Sequence, residues 1–78
     1  MTYYGIAYGE TEGELWNTLF EFGNPMQARM EARKAFAGPG GKGYVVIEDN
    51  GASWSVIEDL GAAYTVNKVG ELFHVIPS

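Results

Sequence analysis

Asn24-Pro25-Met26-Gln27-Ala28-Arg29-Met30-Glu31-Ala32-Arg33-Lys34-Ala35-Phe36-Ala37-Gly38-Pro39 decides the fold, because it is the clearest element of the chain and the only long stretch with helical spacing. Asn24 supplies an N-cap oxygen, Pro25 occupies the first helical position, where its missing N–H is no loss, and Gln27 stands at the reciprocal position of a capping box. Gly38-Pro39 stops the segment, so the spacing predicts a helix over residues 25 to 37. At about 100° per residue, Ala28, Ala32, Ala35 and Phe36 share one face, with Gln27, Glu31 and Lys34 on the other. A ridge of alanines lets such a helix lie close on a sheet.

The flanking segments read as that sheet. Residues 2 to 8 place Tyr4, Ile6 and Tyr8 on one side at period two, and Gly9 to Gly13 form a turn. In residues 14 to 22, Trp16, Thr18, Phe20 and Phe22 alternate and are β-favouring types, which favours a strand over a short amphipathic helix. Beyond the glycine-rich segment 38 to 43, Val46-Ile47-Glu48-Asp49-Asn50-Gly51-Ala52 recurs as Val56-Ile57-Glu58-Asp59-Leu60-Gly61-Ala62. Each copy reads as a strand end with an acidic turn; Asn50-Gly51 matches a two-residue hairpin, and Gly61 sits where a turn needs positive φ. Tyr64 to Asn67 and Glu71 to Ile76 form a last hairpin. The expectation is an α+β fold: one domain over residues 1 to 78, a small antiparallel β-sheet in the order ββαβββ with room for one further strand, and a single helix packed on one face.

Composition narrows the function classes. The chain has 78 residues and no cysteine, which removes disulfides, thiolate metal sites and thiol nucleophiles. Ten acidic against five basic side chains give a net charge of −5, which repels phosphate backbones and argues against direct nucleic-acid binding. No apolar run approaches the roughly 20 residues of a membrane span, and the start of the chain has neither the basic nor the apolar region of a secretory signal. The expected address is cytoplasmic, with no membrane partner.

No residue constellation announces chemistry. Gly38-Pro39-Gly40-Gly41-Lys42-Gly43 has the composition of a phosphate loop, but it leaves a helix rather than entering one and lacks the Lys-Ser/Thr ending, so it reads as a helix stop and connector. Glu48-Asp49 and Glu58-Asp59 match neither a calcium loop nor a catalytic dyad and read as solvated turn acids at opposite ends of the sheet. His74, the single histidine, has no Ser or Cys nucleophile near it in sequence and reads as a sheet residue. Ser53, Ser55 and Ser78 lack a nucleophile-elbow context. No catalytic residue, metal ligand or cofactor is expected.

Contact residues are a stronger reading. Met26, Met30 and Ala37 form a stripe beside the alanine ridge, with Arg29 and Arg33 between the two: either the helix buries a wide face and both arginines snorkel over its rim, or the strip is exposed and contacts a partner, methionine and arginine both being enriched in interface cores. Two Trp, five Tyr and four Phe make up 14% of the chain, more than a small core needs. In residues 14 to 22 Trp16, Phe20 and Phe22 share one face and Leu15 and Leu19 the other, although one helix covers only one face of a sheet; self-association is the cheapest cover for the remainder, and another protein the next. The partner-binding set is therefore Met26, Arg29, Met30, Arg33, Trp16 and Phe20.

The function expected is that of a small module occupying a partner protein's surface, with charge reversal at Arg29 and Arg33 abolishing the complex and His74→Ala leaving it intact. In size, acidity and lack of cysteine the chain resembles the small phage-encoded proteins that inhibit host machinery, anti-CRISPR proteins among them; the resemblance is one of size class and covers no motif. A self-assembling homo-oligomer is the alternative, and an acidic nucleic-acid mimic or a small enzyme is less supported.

Overall fold

The computed structural model describes residues 1–78. Its elements are β1 (Thr2–Thr11), β2 (Glu14–Phe22), α1 (Pro25–Phe36), β3 (Gly41–Asp49), β4 (Trp54–Gly61), β5 (Tyr64–Val69) and β6 (Leu72–Pro77). The four longer strands form an antiparallel sheet in the order β2-β1-β3-β4, and β5 pairs only with β6. The fold is α+β as expected, with the further strand present.

The helix begins and ends where its signals stand. The Asn24 side-chain oxygen accepts the backbone N–H groups of Met26 at 2.7 Å and Gln27 at 3.3 Å, and Ala37 is the C-cap. No return bond from the Gln27 side chain completes a capping box. Ala28 and Ala32 are fully buried against the sheet. They come close because β1 presents small residues on that side: a Cβ on Gly5 would overlap the Ala28 carbonyl. Tyr44 and Val46 of β3 complete this core cluster, flanked by Tyr3, Phe22 and Phe36.

The opposite face carries the larger side chains of the same strands. Ile6, Tyr8, Val45 and Ile47 pack with Phe73 and Val75 of β6, rimmed by Tyr4, Leu19, Trp54, Val56, Tyr64 and Val66. Phe73 lies against Tyr4 at 5.0 Å and meets Trp54 edge-on at 5.1 Å, with the Lys68 ammonium over its ring. The β5–β6 hairpin is thus a third layer, which corrects the expectation that this face needs a second copy or another protein. The reversal is made in two residues: Gly61 adopts φ 108°, Ala62 and Ala63 cross the edge, and the Tyr8 hydroxyl donates to the Ala62 carbonyl at the corner.

Three local expectations change. β1 runs on to Thr11, so the first hairpin turn is Glu12-Gly13 alone. Asp49 pairs with Trp54, so the Asn50-Gly51 turn is a four-residue loop; the Asn50 side chain accepts the N–H groups of Ala52 and Ser53. In the second copy of the repeat Glu58 and Asp59 are not turn residues, because they pair with Val46 and Val45 inside β4, and the turn comes only at Gly61. No helix is long and apolar enough to cross a membrane.

Candidate functional site

The helix spans three strands of a four-stranded sheet. It packs on β1, β2 and β3 and stops short of β4. A ledge results between α1 and the β4 edge, and its shape is set by a register shift in β4. Ile47 pairs with Val56 but Val46 pairs with Glu58, so Ile57 is an extra residue in the strand. Ile57 and Glu58 both line the hollow on the helix side, with Pro25, Met26, Arg29 and Val46; its volume is about 200 Å³.

Glu58 organises this ledge. One carboxylate oxygen accepts the Tyr44 hydroxyl proton, and the other sits 3.2 Å from the Arg29 guanidinium. Arg29 thereby bridges helix and sheet edge. Burial, followed by the hydrogen bond to Glu58, raises the Tyr44 phenol above its ordinary value, while the Arg33 and Arg29 charges act in the opposite direction. Tyr44 is therefore a neutral donor, and Glu58 is a half-buried structural acceptor rather than the solvated turn acid the repeat suggested.

Above this network the surface is apolar. Met26 and Met30 are 58% and 56% exposed, and Ile57 and Leu60 of β4 are nearly half exposed. Leu60 stands opposite Tyr44 and so continues the line along the helix-facing side of β4. Lys34, Lys42 and Lys68 are paired with Glu31, Glu10 and Asp49, and Arg29 with Glu58; Arg33 alone among the basic side chains forms no ion pair. The ledge therefore offers apolar contact area, one fixed cation and one free cation.

Of the six contact residues read from sequence, the structure brings Met26 and Arg29 to the ledge, with Met30 and Arg33 on the same helix beyond its hollow. Trp16 and Phe20 are on β2, at the opposite edge of the sheet from β4, and both are half-buried. Trp16 lies across Gly9 and donates its indole N–H to the Thr11 hydroxyl at 3.0 Å, while Phe20 pairs with Gly5 beside the helix. The two groups are separate surfaces. Arg29 is also committed within the fold, so reversing its charge sets two carboxylates against each other. Sequence reasoning missed Ile57, Glu58 and Leu60. The repeat was the available signal, since two copies at a spacing of ten residues bring the second back across the first only if it continues as strand.

Outside the ledge, His74 is exposed, paired across β6 and β5 with Asn67, and has Asn17, Val75 and Ile76 rather than a nucleophile around it. Comparison of the chain with protein-family models, with curated proteins and with solved structures gives no significant match.

Proposed function

We propose that the chain is a protein-binding module that acts by occupying a partner protein's surface, and that the α1–β4 ledge is its contact face. The observation that carries this reading is the hollow that the helix leaves uncovered, lined by exposed Met26 and Ile57, with exposed Met30 one turn further along the helix and exposed Leu60 further along β4. Exposed apolar side chains that are scattered need no explanation, but a contiguous group rimmed by charge has the composition of an interface. Methionines adapt to the surface they meet, and Arg33 supplies a cation with no partner in its own chain. The partner surface is accordingly apolar with a carboxylate within reach of Arg33. A net charge of −5 steers the approach toward a protein that is basic overall.

The test is affinity capture from the producing cells with three forms side by side: wild type, Met30→Asp/Arg33→Glu, and Leu72→Lys on the far side of the molecule. The expected result is one stoichiometric protein held by wild type and by Leu72→Lys and lost from the folded double variant. Equal capture by all three would remove the ledge as the contact face.

A further inference from the structure

The β5–β6 hairpin is the outermost layer, and its two faces differ. Lys68, Phe73, Val66 and Val75 point into the molecule, where Phe73 and Val75 are buried. The alternation of the strands then places Thr65, Asn67 and Val69 of β5 opposite Ile76, His74 and Leu72 of β6 on the outward face. Val69, Leu72 and Ile76 are between 43% and 66% exposed, and Leu15 of β2, beside them, is 55% exposed.

Two features restrict what covers this face. It holds no Asp, Glu, Lys or Arg in a chain of net charge −5. The second feature is shape. A hollow of about 370 Å³ adjoins the face, walled by Leu15, Trp16, Val69, His74 and Ile76, and exposed Leu72 is the strand partner of Val69 in that wall. Projection and hollow on one patch satisfy the self-complementarity of a two-fold interface, where each copy's projection enters the other's hollow. A chain of net negative charge is drawn to partners of opposite charge, whereas two identical acidic chains meet most easily where neither carries any.

We infer that the outward face of the β5–β6 hairpin is the seam of a homodimer, with Leu72 of each copy seated in the hollow formed by Leu15, Trp16 and Ile76 of the other. The seam is independent of the ledge and leaves it free in both copies. Two short strands make a small interface, so the dimer is a weak, concentration-dependent one.

Sedimentation equilibrium tests this over loading concentrations from roughly 1 μM to roughly 1 mM, the range of weak dissociation constants. Wild type is expected to pass from monomer to dimer, and Leu72→Lys to raise the dissociation constant at least about tenfold, because the seam would bury an unpaired ammonium. Leu72 is solvent-facing in the single chain, so the variant keeps its fold. Because the chain has no cysteine, Asn67→Cys gives a second readout: oxidation is expected to yield a disulfide-linked dimer, with a Glu12→Cys control remaining monomeric. A wild-type chain that stays monomeric throughout, or a dimer that Leu72→Lys leaves unchanged and Met30→Asp abolishes, would overturn the proposal.

Discussion

The side chain of Asn17 pairs with the backbone of Val75 as a strand residue would: its amide donates to the Val75 carbonyl at 2.8 Å, and its oxygen accepts the Val75 N–H at 2.7 Å. These two bonds fasten the free edge of β6 to β2, joining two sheets that share no ladder. Asn17→Ala leaves both backbone groups unpaired in a partly buried place, so the expected cost is about 2 kcal/mol. Urea denaturation measures it, and a loss near zero would show the hairpin held by apolar packing alone.

Gly5 sets the height of the helix above the sheet. A methyl at this position meets the Ala28 carbonyl, which is backbone in a capped helix and cannot turn aside. Gly5→Ala is expected to cost about 3 kcal/mol and to loosen α1, because inserting a methylene into a packed contact forces backbone to move. Thermal unfolding followed by circular dichroism reads the effect; a fall in melting temperature as small as that of a surface substitution would contradict the close approach.

Glu12 is the single non-glycine residue with positive φ, at 55°, and Gly13 follows at 83°. Together they make the two-residue turn between β1 and β2, in which both central positions favour Asn-Gly. Glu12→Asn is therefore expected to stabilise the chain by about 0.5 to 1 kcal/mol, as relief of left-handed strain does elsewhere. Chemical denaturation of the two forms decides the sign.

All five tyrosines titrate above their ordinary value of 10.0, burial being the first cause for each, and Tyr64 is pushed up to about 12 with help from its hydrogen bond to Asp59. The folded state holds these protons more tightly than the unfolded state. Their contribution to stability is thus fully present below pH 10 and is lost as the pH rises through the folded values toward about 12. Denaturation midpoints are expected to be flat up to about pH 10 and to fall beyond it, with tyrosinate absorbance rising as the fold is lost. Tyrosinate appearing near its ordinary value while the fold persists would contradict the burial.

How much of this was legible in the sequence differs by element. The helix was readable because Asn24, Pro25 and Gly38 are local signals that act through the nearest backbone groups. The alternation of Trp16, Phe20 and Phe22 against Leu15 and Leu19 placed the two faces of β2 correctly, since strand period is also local. The turn at Gly61 and the last hairpin were readable, but not that this hairpin leaves the sheet and folds over its far face as a third layer, because that depends on contacts distant in sequence. Glu58 was misread for a related reason: in sequence it copies Glu48, and only the register shift at Ile57 turns it toward Tyr44 and Arg29. The helix half of the ledge, Met26 with the arginines, is visible as a stripe; the sheet half is not, because the repeat predicts a turn at Glu58-Asp59 where β4 continues.

Site-directed photo-crosslinking tests the central claim, that the ledge between α1 and β4 is the contact face. Met30→Cys and, as a control at the far turn, Glu12→Cys are each labelled with a benzophenone maleimide, the chain having no cysteine of its own, and irradiated in extract of the producing cells. The account predicts one discrete adduct from the Met30 probe and none from the Glu12 probe; an adduct from Glu12 with none from Met30 would contradict it.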